Sequence, residues 1–131
     1  MDRRLFLAAI SAVAASAGCA TVGDARSERG TGVIVSYAAP FEQVWQQVAA
    51  TLRELDLQIA ADNMAEGYVL AESSASAFSW GERVAVFVER IGTQGNTRVE
   101  VVSKRAIGIN FTASDWAPKI HERLGQRFRR L

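Results

Sequence analysis

Length, composition and charge limit what this chain can be. Its 131 residues suit one domain, and the part after the amino-terminal segment is long enough to bury one hydrophobic core. The chain has 15 Lys and Arg against 14 Asp and Glu, so 13 of each remain without Asp2, Arg3 and Arg4. A domain with balanced charge lacks the basic surface of non-specific nucleic-acid binders and of polybasic membrane anchors. We therefore expect no nucleic-acid partner.

Residues 1–18 have the pattern of an export signal. Two arginines precede an apolar run over residues 5–17, about 13 residues long, whereas a membrane-spanning helix needs about 20. The motif Arg3-Arg4-x-Phe6-Leu7 resembles the core of the twin-arginine signal, and this resemblance implies export from the cytoplasm. The residues expected to carry signal recognition are Arg3, Arg4, Phe6 and Leu7.

The only cysteine, Cys19, follows this segment directly. Ser16-Ala17-Gly18-Cys19 resembles the lipobox of bacterial lipoproteins, in which small residues precede a cysteine that receives a diacylglycerol. This resemblance implies a lipoprotein that carries acyl chains such as palmitate on Cys19. Ser16 departs from the family pattern, which usually has Leu or another aliphatic residue there. The alternative is ordinary signal-peptidase cleavage after Ala17, which leaves a free Cys19 near the new terminus.

The lone thiol favours lipidation, because an exported cysteine without a partner is reactive unless chemistry consumes it. Ala20 follows the cysteine, and by resemblance to Gram-negative lipoproteins, in which Asp at this position favours the inner membrane, it favours the outer membrane. Residues 19–31 predict a lipidated cysteine and a flexible tether. Because residues 20–31 are small and polar, this tether would keep the domain within about 40 Å of the anchor.

Residues 32–131 predict a single α+β domain in the order β-α-β-β-β-β-α. The first strand is expected over residues 32–37, and a helix from about 40 to 55 has Pro40 in its first position. Residues 57–61 and 67–72 predict an antiparallel pair with a turn at Asp62-Asn63. The clearest hairpin joins residues 82–91 to residues 97–104. A last helix is expected to begin near residues 112–115.

Alternation in the hairpin predicts how the sheet is covered. Val99 and Val101 leave the strand on one side, and Arg98, Glu100 and Lys104 leave it on the other. We therefore expect an antiparallel sheet of about four to five strands with two helices on its dry face and water on the other. This order of elements resembles small modules of periplasmic lipoproteins, such as the helix-grip domains of the outer-membrane assembly lipoprotein BamC. Because the resemblance is one of element order, it implies a fold and no function.

Residues that carry enzymatic chemistry are sparse. His121 is the only histidine, lies in mid-helix without a cysteine nearby, and is expected to be solvated or partly packed. No serine lies in a Gly-x-Ser-x-Gly context, and no glycine run opens a helix to bind phosphate. We therefore predict no catalytic residue, no metal site and no cofactor.

A non-enzymatic interaction or envelope-assembly accessory protein, held at the membrane through Cys19, is the favoured function. The residues that could contact a protein partner are Trp80, Lys119, Arg123 and Arg127. Cations in a last helical turn also stabilise the helix dipole, which is the structural alternative for the basic row. For Trp80 the structural alternative is a buried place in the core. The alternative function is a binder of a small apolar ligand, with a pocket lined by Trp45, Phe87 and Trp116. An enzyme would need clustered serine, lysine or carboxylate groups in such a pocket.

Overall fold

A computed structural model of the chain describes residues 29–73, 82–105 and 116–131. Five strands and two helices follow in the order β-α-β-β-β-β-α, which confirms the predicted α+β class and order. The strands are β1 (Val33–Tyr37), β2 (Gln58–Asn63), β3 (Tyr68–Glu72), β4 (Glu82–Ile91) and β5 (Asn96–Arg105). The helices are α1 (Phe41–Glu54) and α2 (Trp116–Arg127). The expected start of the last helix at residues 112–115 lies outside the described residues.

The five strands form one antiparallel sheet in the order β1-β5-β4-β3-β2. β4 and β5 pair from Glu82 opposite Arg105 to Ile91 opposite Asn96, so the predicted hairpin is confirmed. Valines alternate along both strands with the two-residue period of a sheet, and this pattern fixes the register. β1 pairs with the other side of β5, from Val33 opposite Val101 to Tyr37 opposite Thr97, so β1 is the strand at one end of this order.

The β2–β3 pair differs from the prediction at its turn. Asp62 and Asn63 belong to β2 and pair with Val69 and Tyr68, so the predicted turn at Asp62-Asn63 is wrong. The chain reverses over residues 64–67 instead, where Gly67 has a φ of +74° that favours glycine. Its amide donates to the Asn63 carbonyl oxygen at 2.8 Å, which closes the turn.

Helix α1 begins at Phe41, one residue later than the pattern predicts. Pro40 is the N-cap residue, directly before the first helical residue, with a φ of −65° and an extended ψ of 150°. The prediction that Pro40 occupies the first helical position is therefore wrong. The carbonyl oxygen of Pro40 accepts the first helical bond, from the Val44 amide at 3.1 Å. The fixed φ of proline suits this position, and its missing N–H is not needed there.

Both helices cover one face of the sheet, which we call the inner face. Val48 and Leu52 from α1 and Ile120 and Leu124 from α2 are fully buried against the inward valines of β4 and β5. Each buried aliphatic side chain stabilises the fold by about 1.5–3 kcal/mol relative to an exposed one. The predicted arrangement of two helices on one face is therefore confirmed.

The opposite face of the sheet, which we call the outer face, is less exposed to solvent than the alternation of apolar and polar residues in the hairpin predicts. Tyr68, Ala85, Phe87 and Val102 form a second buried apolar cluster there. Glu100 leaves β5 on the same face and is only 6% exposed, so the prediction of a uniformly wet face is wrong. Alternation shows on which side of a strand a residue lies, but it does not show what covers that side.

Residues 129–131 extend the sheet beyond β1. Arg130 forms an antiparallel bridge with Tyr37, and the Ala38 amide donates to the Arg129 carbonyl oxygen at 2.8 Å. The Leu131 amide donates to the Ser36 carbonyl oxygen at 3.0 Å. These contacts pair the end of β1 at Ser36 and Tyr37 on the side that β5 leaves free, and paired edges resist association with other chains.

Candidate functional site

Several of the predicted functional residues lie outside the described residues. They are Arg3, Arg4, Phe6, Leu7, Cys19 and Trp80. Within the part of the chain that the structure describes, no helix is long and apolar enough to cross a membrane. The described chain begins at Arg29, ten positions after Cys19, and its first residues form the most developed polar contact on the outer face.

The Glu100 clamp, formed by Arg29, Gly30, Gly32, Phe87 and Glu100, fixes the beginning of the described chain to the sheet. The two carboxylate oxygens of Glu100 accept the Gly30 amide at 2.9 and 2.7 Å, and one of them also accepts the Gly32 amide at 2.9 Å. The guanidinium carbon of Arg29 lies 4.8 Å from the centroid of the Phe87 ring. The clamp therefore combines charge-assisted hydrogen bonds with a cation over an aromatic face.

Two glycines give the clamp its shape. Gly30 has a φ of +96°, a conformation that favours glycine. A Cβ at Gly32 would lie 2.3 Å from the carbonyl oxygen of Val101, so only glycine permits this close approach to β5. Backbone amides that converge on one carboxylate form an anion-binding nest. These bonds compensate the burial of the Glu100 charge, which would otherwise be costly.

The clamp revises the predicted tether at one end. The sequence assigns residues 29–31 to the flexible tether, but Arg29 and Gly30 are held against the outer face. A segment of small polar residues can be flexible or held against a domain, so composition does not distinguish these two states. A usable signal is the glycine pair at positions 30 and 32 just before a strand, because such spacing permits amides to converge on an anion.

His121 is buried between α2 and β1, with 2% of its surface exposed, rather than solvated. Its Nε2 lies 2.9 Å from the carbonyl oxygen of Val33, which can only accept, so Nε2 carries the proton of the neutral ring. Nδ1 then accepts a hydrogen bond from the Tyr37 hydroxyl at 2.7 Å. Arg130 donates to the backbone carbonyl oxygen of His121 at 3.0 Å. We call these residues the His121 network.

Burial sets the protonation of the His121 network. Burial lowers the pKa of His121, and the nearby Arg130 guanidinium lowers it further, whereas the bond to Val33 acts in the other direction. Burial raises the pKa of Tyr37 to about 12. The network is therefore neutral at its centre near pH 7, and both ring nitrogens are used to join α2 to β1. In residues 29–73, 82–105 and 116–131 no three His, Cys, Asp or Glu side chains are grouped to hold a metal ion.

The basic row of α2 contacts α1. Arg123 and Arg127 each lie 3.0 Å from a carboxylate oxygen of Glu54, the last residue of α1. Lys119 lies with its ammonium nitrogen 4.8 Å from the centroid of the Trp116 ring. These side chains are partly exposed to solvent, so the ion pairs contribute little to stability. Two of the predicted partner contacts thus already have an acidic partner within the domain.

Trp45, Phe87 and Trp116 do not line one pocket. Trp45 and Trp116 pack at the edge of the inner core, whereas Phe87 belongs to the cluster on the outer face. Trp116 donates through its indole nitrogen to Glu82 at 2.8 Å, and Trp45 stacks on Phe41 with ring centroids 5.8 Å apart. The predicted lining is therefore wrong, because the sheet separates Phe87 from the two tryptophans.

No protein-family model matches this chain, and no curated protein matches it significantly. The function of this chain is therefore inferred from the pattern around Cys19 and from the contacts of the described residues. Among those contacts, the Glu100 clamp lies closest along the chain to Cys19.

Proposed function

We propose that this chain is a lipid-anchored protein of the bacterial cell envelope whose domain faces the periplasm and acts as an interaction or assembly-accessory module without enzymatic activity. One observation carries the proposal: the only cysteine, Cys19, stands directly after the small residues that end an export-type signal. Acylation consumes this thiol, and two or three acyl chains hold a protein on a membrane durably. Ala20 favours the outer membrane as the location.

The Glu100 clamp supports a domain that works close to its membrane. Cys19 and Arg29 are ten positions apart, and a fully extended chain of this length spans at most about 36 Å. Because the clamp fixes the chain from Gly30 onward, residues 29–31 add little to this reach. The tether is thus shorter than the sequence alone predicts, and the outer face lies nearest to the point of attachment.

The His121 network supports a role without catalysis. A general base needs a ring nitrogen that can reach a substrate, but in His121 one nitrogen donates to Val33 and the other accepts from Tyr37. The Tyr37 hydroxyl is buried, and its pKa of about 12 makes it a poor nucleophile or acid near pH 7. We assign these residues to the structure of the domain.

Mass spectrometry of the mature protein, together with labelling by a palmitate analogue, tests the lipid anchor. The full chain is expressed in a Gram-negative bacterium with twin-arginine export, next to Cys19→Ser and to a double variant Arg3→Lys, Arg4→Lys. We expect Cys19 as an acylated first residue and the label in the membrane fraction. Cys19→Ser is expected to lose the label and the membrane association.

The double arginine variant separates export from lipidation. Because it impairs the predicted signal and leaves Cys19 intact, we expect unprocessed chain in the cytoplasm. A mature chain that begins at Gly18 with an unmodified cysteine would contradict the lipoprotein proposal. Fractionation of the two membranes then decides whether the wild-type protein is in the outer membrane, as Ala20 favours, or in the inner one.

A further inference from the structure

Large apolar side chains are exposed along β1 and the segment paired with it. Val33, Ile34 and Leu131 are 47%, 50% and 63% exposed, and we call them the β1 patch. The Leu131 amide bonds to Ser36, which places Leu131 next to β1 two positions from Ile34 on the outer face. Diagonal neighbours at this spacing are within reach of long side chains. Val33 leaves β1 on the inner side, so the patch wraps around this edge of the sheet.

The β1 patch adjoins the point at which the chain from Cys19 reaches the domain. Ile34 lies directly opposite Glu100 in the β1–β5 register, and Glu100 holds the Gly30 and Gly32 amides. The clamp and the patch are therefore neighbours on one face. Because the chain from Cys19 enters the described structure at the clamp, ten positions later, the β1 patch lies within about 40 Å of the proposed anchor.

Positive charge accompanies the patch. Arg129 is exposed two residues before Leu131 and lies on the outer face, because the bridge of Arg130 to Tyr37 sets Arg129 opposite Ala38. The Arg29 guanidinium, in contrast, lies over Phe87 and donates to the Glu66 carbonyl oxygen at 3.2 Å. Guanidinium groups bind phosphate oxygens in a bidentate manner, so the Arg129 side chain suits the headgroup level of a phospholipid layer. Apolar side chains flanked by arginine are the combination found on surfaces that lie in a membrane interface.

We propose that the bilayer that carries the Cys19 anchor covers the β1 patch, with Arg129 at the lipid phosphates. The inference rests on the proposed lipid anchor and adds the orientation of the domain on the membrane. A stable protein partner needs about 1,000 Å² of buried surface, which three side chains do not supply. Contact with a bilayer needs less buried surface than a protein partner does, because the anchor already holds the domain at the membrane and makes the contact effectively intramolecular.

Single-cysteine labelling of the acylated full chain tests this orientation. Ile34→Cys and Leu131→Cys are each labelled with an environment-sensitive fluorophore, and acylation leaves Cys19 without a thiol to react. Met64→Cys is the matched control, because Met64 is also 47% exposed but lies in the β2–β3 turn at the far edge of the sheet. The labelled proteins are reconstituted in vesicles of phosphatidylethanolamine and phosphatidylglycerol, with and without nitroxide-labelled lipid.

We expect a blue shift and a loss of intensity from nitroxide lipid for labels at positions 34 and 131, and neither change at position 64. Circular dichroism and thermal unfolding confirm that each labelled variant is folded. Equal quenching at all three positions, or none at 34 and 131, in protein that is acylated and bound to vesicles overturns the orientation but leaves the anchor intact. Protection of position 34 in cells without quenching in vesicles also overturns it and indicates a protein partner. Failure of the anchor itself is measured separately by the palmitate label.

Discussion

Removing one buried hydroxyl tests the bond at the centre of the His121 network. In Tyr37→Phe the ring remains 6.0 Å from the His121 ring and 6.4 Å from that of Phe128, measured between centroids. Nδ1 of His121, however, loses the donor that lies 2.7 Å away. A buried acceptor without a partner costs about 1–3 kcal/mol, and the retained ring adds almost no cavity to this loss. For a domain of about 100 residues, each kcal/mol lowers the Tm by about 4–8 °C.

Tyr68→Phe is the matched control for this substitution. Tyr68 is also buried, but it lies in the outer-face cluster and takes no part in the His121 network. Urea unfolding followed by circular dichroism gives the free energy of unfolding of both variants and of the wild type. We expect Tyr37→Phe to be less stable by about 1–3 kcal/mol and Tyr68→Phe to stay close to the wild type. A Tyr37→Phe variant as stable as the wild type would refute the inference that this bond holds α2 to β1.

Four further outcomes follow from the same contacts. Because burial lowers the pKa of His121, the unfolded chain binds its proton first. The contribution of the neutral ring to the free energy of unfolding is therefore complete above about pH 6.5. As the pH falls from there toward the lower pKa of the folded state, this contribution declines by at most about 1.4 kcal/mol per pH unit. Urea midpoints measured across this range should show the decline in the wild type, and an identical decline in His121→Gln would argue against it. Glu100→Gln should speed hydrogen exchange of the clamp amides, whereas Glu89→Gln, at an exposed site on the same face, should leave their exchange unchanged. Gly32→Ala should lower the free energy of unfolding by about 1–3 kcal/mol because its Cβ would overlap a carbonyl of β5, and an unchanged urea midpoint would show that the strand can yield. Glu54→Gln removes the acceptor of two ion pairs, yet it should change the free energy of unfolding by less than about 1 kcal/mol, and a larger loss would show that the helices depend on these pairs.

The hydrophobic periodicity of the sequence predicts the sheet and the helices because the apolar residues that recur at regular spacing are the ones buried in the core. Val86 and Val101 belong to two-residue repeats of valine along β4 and β5, lie opposite each other and are buried in the core under the helices. The same alternation correctly placed Glu100 on the other side of β5. It could not show that the amides of Gly30 and Gly32 cover the carboxylate, since the first of these contacts joins residues 70 positions apart. Local patterns contain no information on contacts at that separation.

The sequence predicts a solvated or partly packed His121 and not its full burial, for a related reason, although a signal for burial is present. His121 follows Ala117 by four residues and precedes Leu124 by three, which puts it on the buried stripe of α2. A lone histidine on such a stripe needs polar partners, and its partner Tyr37 lies 84 positions away on β1. The helical pattern could therefore have predicted burial, but only the tertiary fold identifies the hydroxyl that permits it.

Three sets of contacts that the sequence could not reveal act on β1. The Glu100 clamp holds the residues before it, the His121 network holds its two ends through Val33 and Tyr37, and residues 129–131 pair with its free side. In the proposed lipid-anchored state, any pull from the membrane reaches the domain at Arg29 and passes first to the clamp. A strand of five residues that was loaded directly could separate from β5 one hydrogen bond at a time. With the clamp ahead of it, the bonds from Gly30 and Gly32 to Glu100 take up the load before the β1–β5 pairing does.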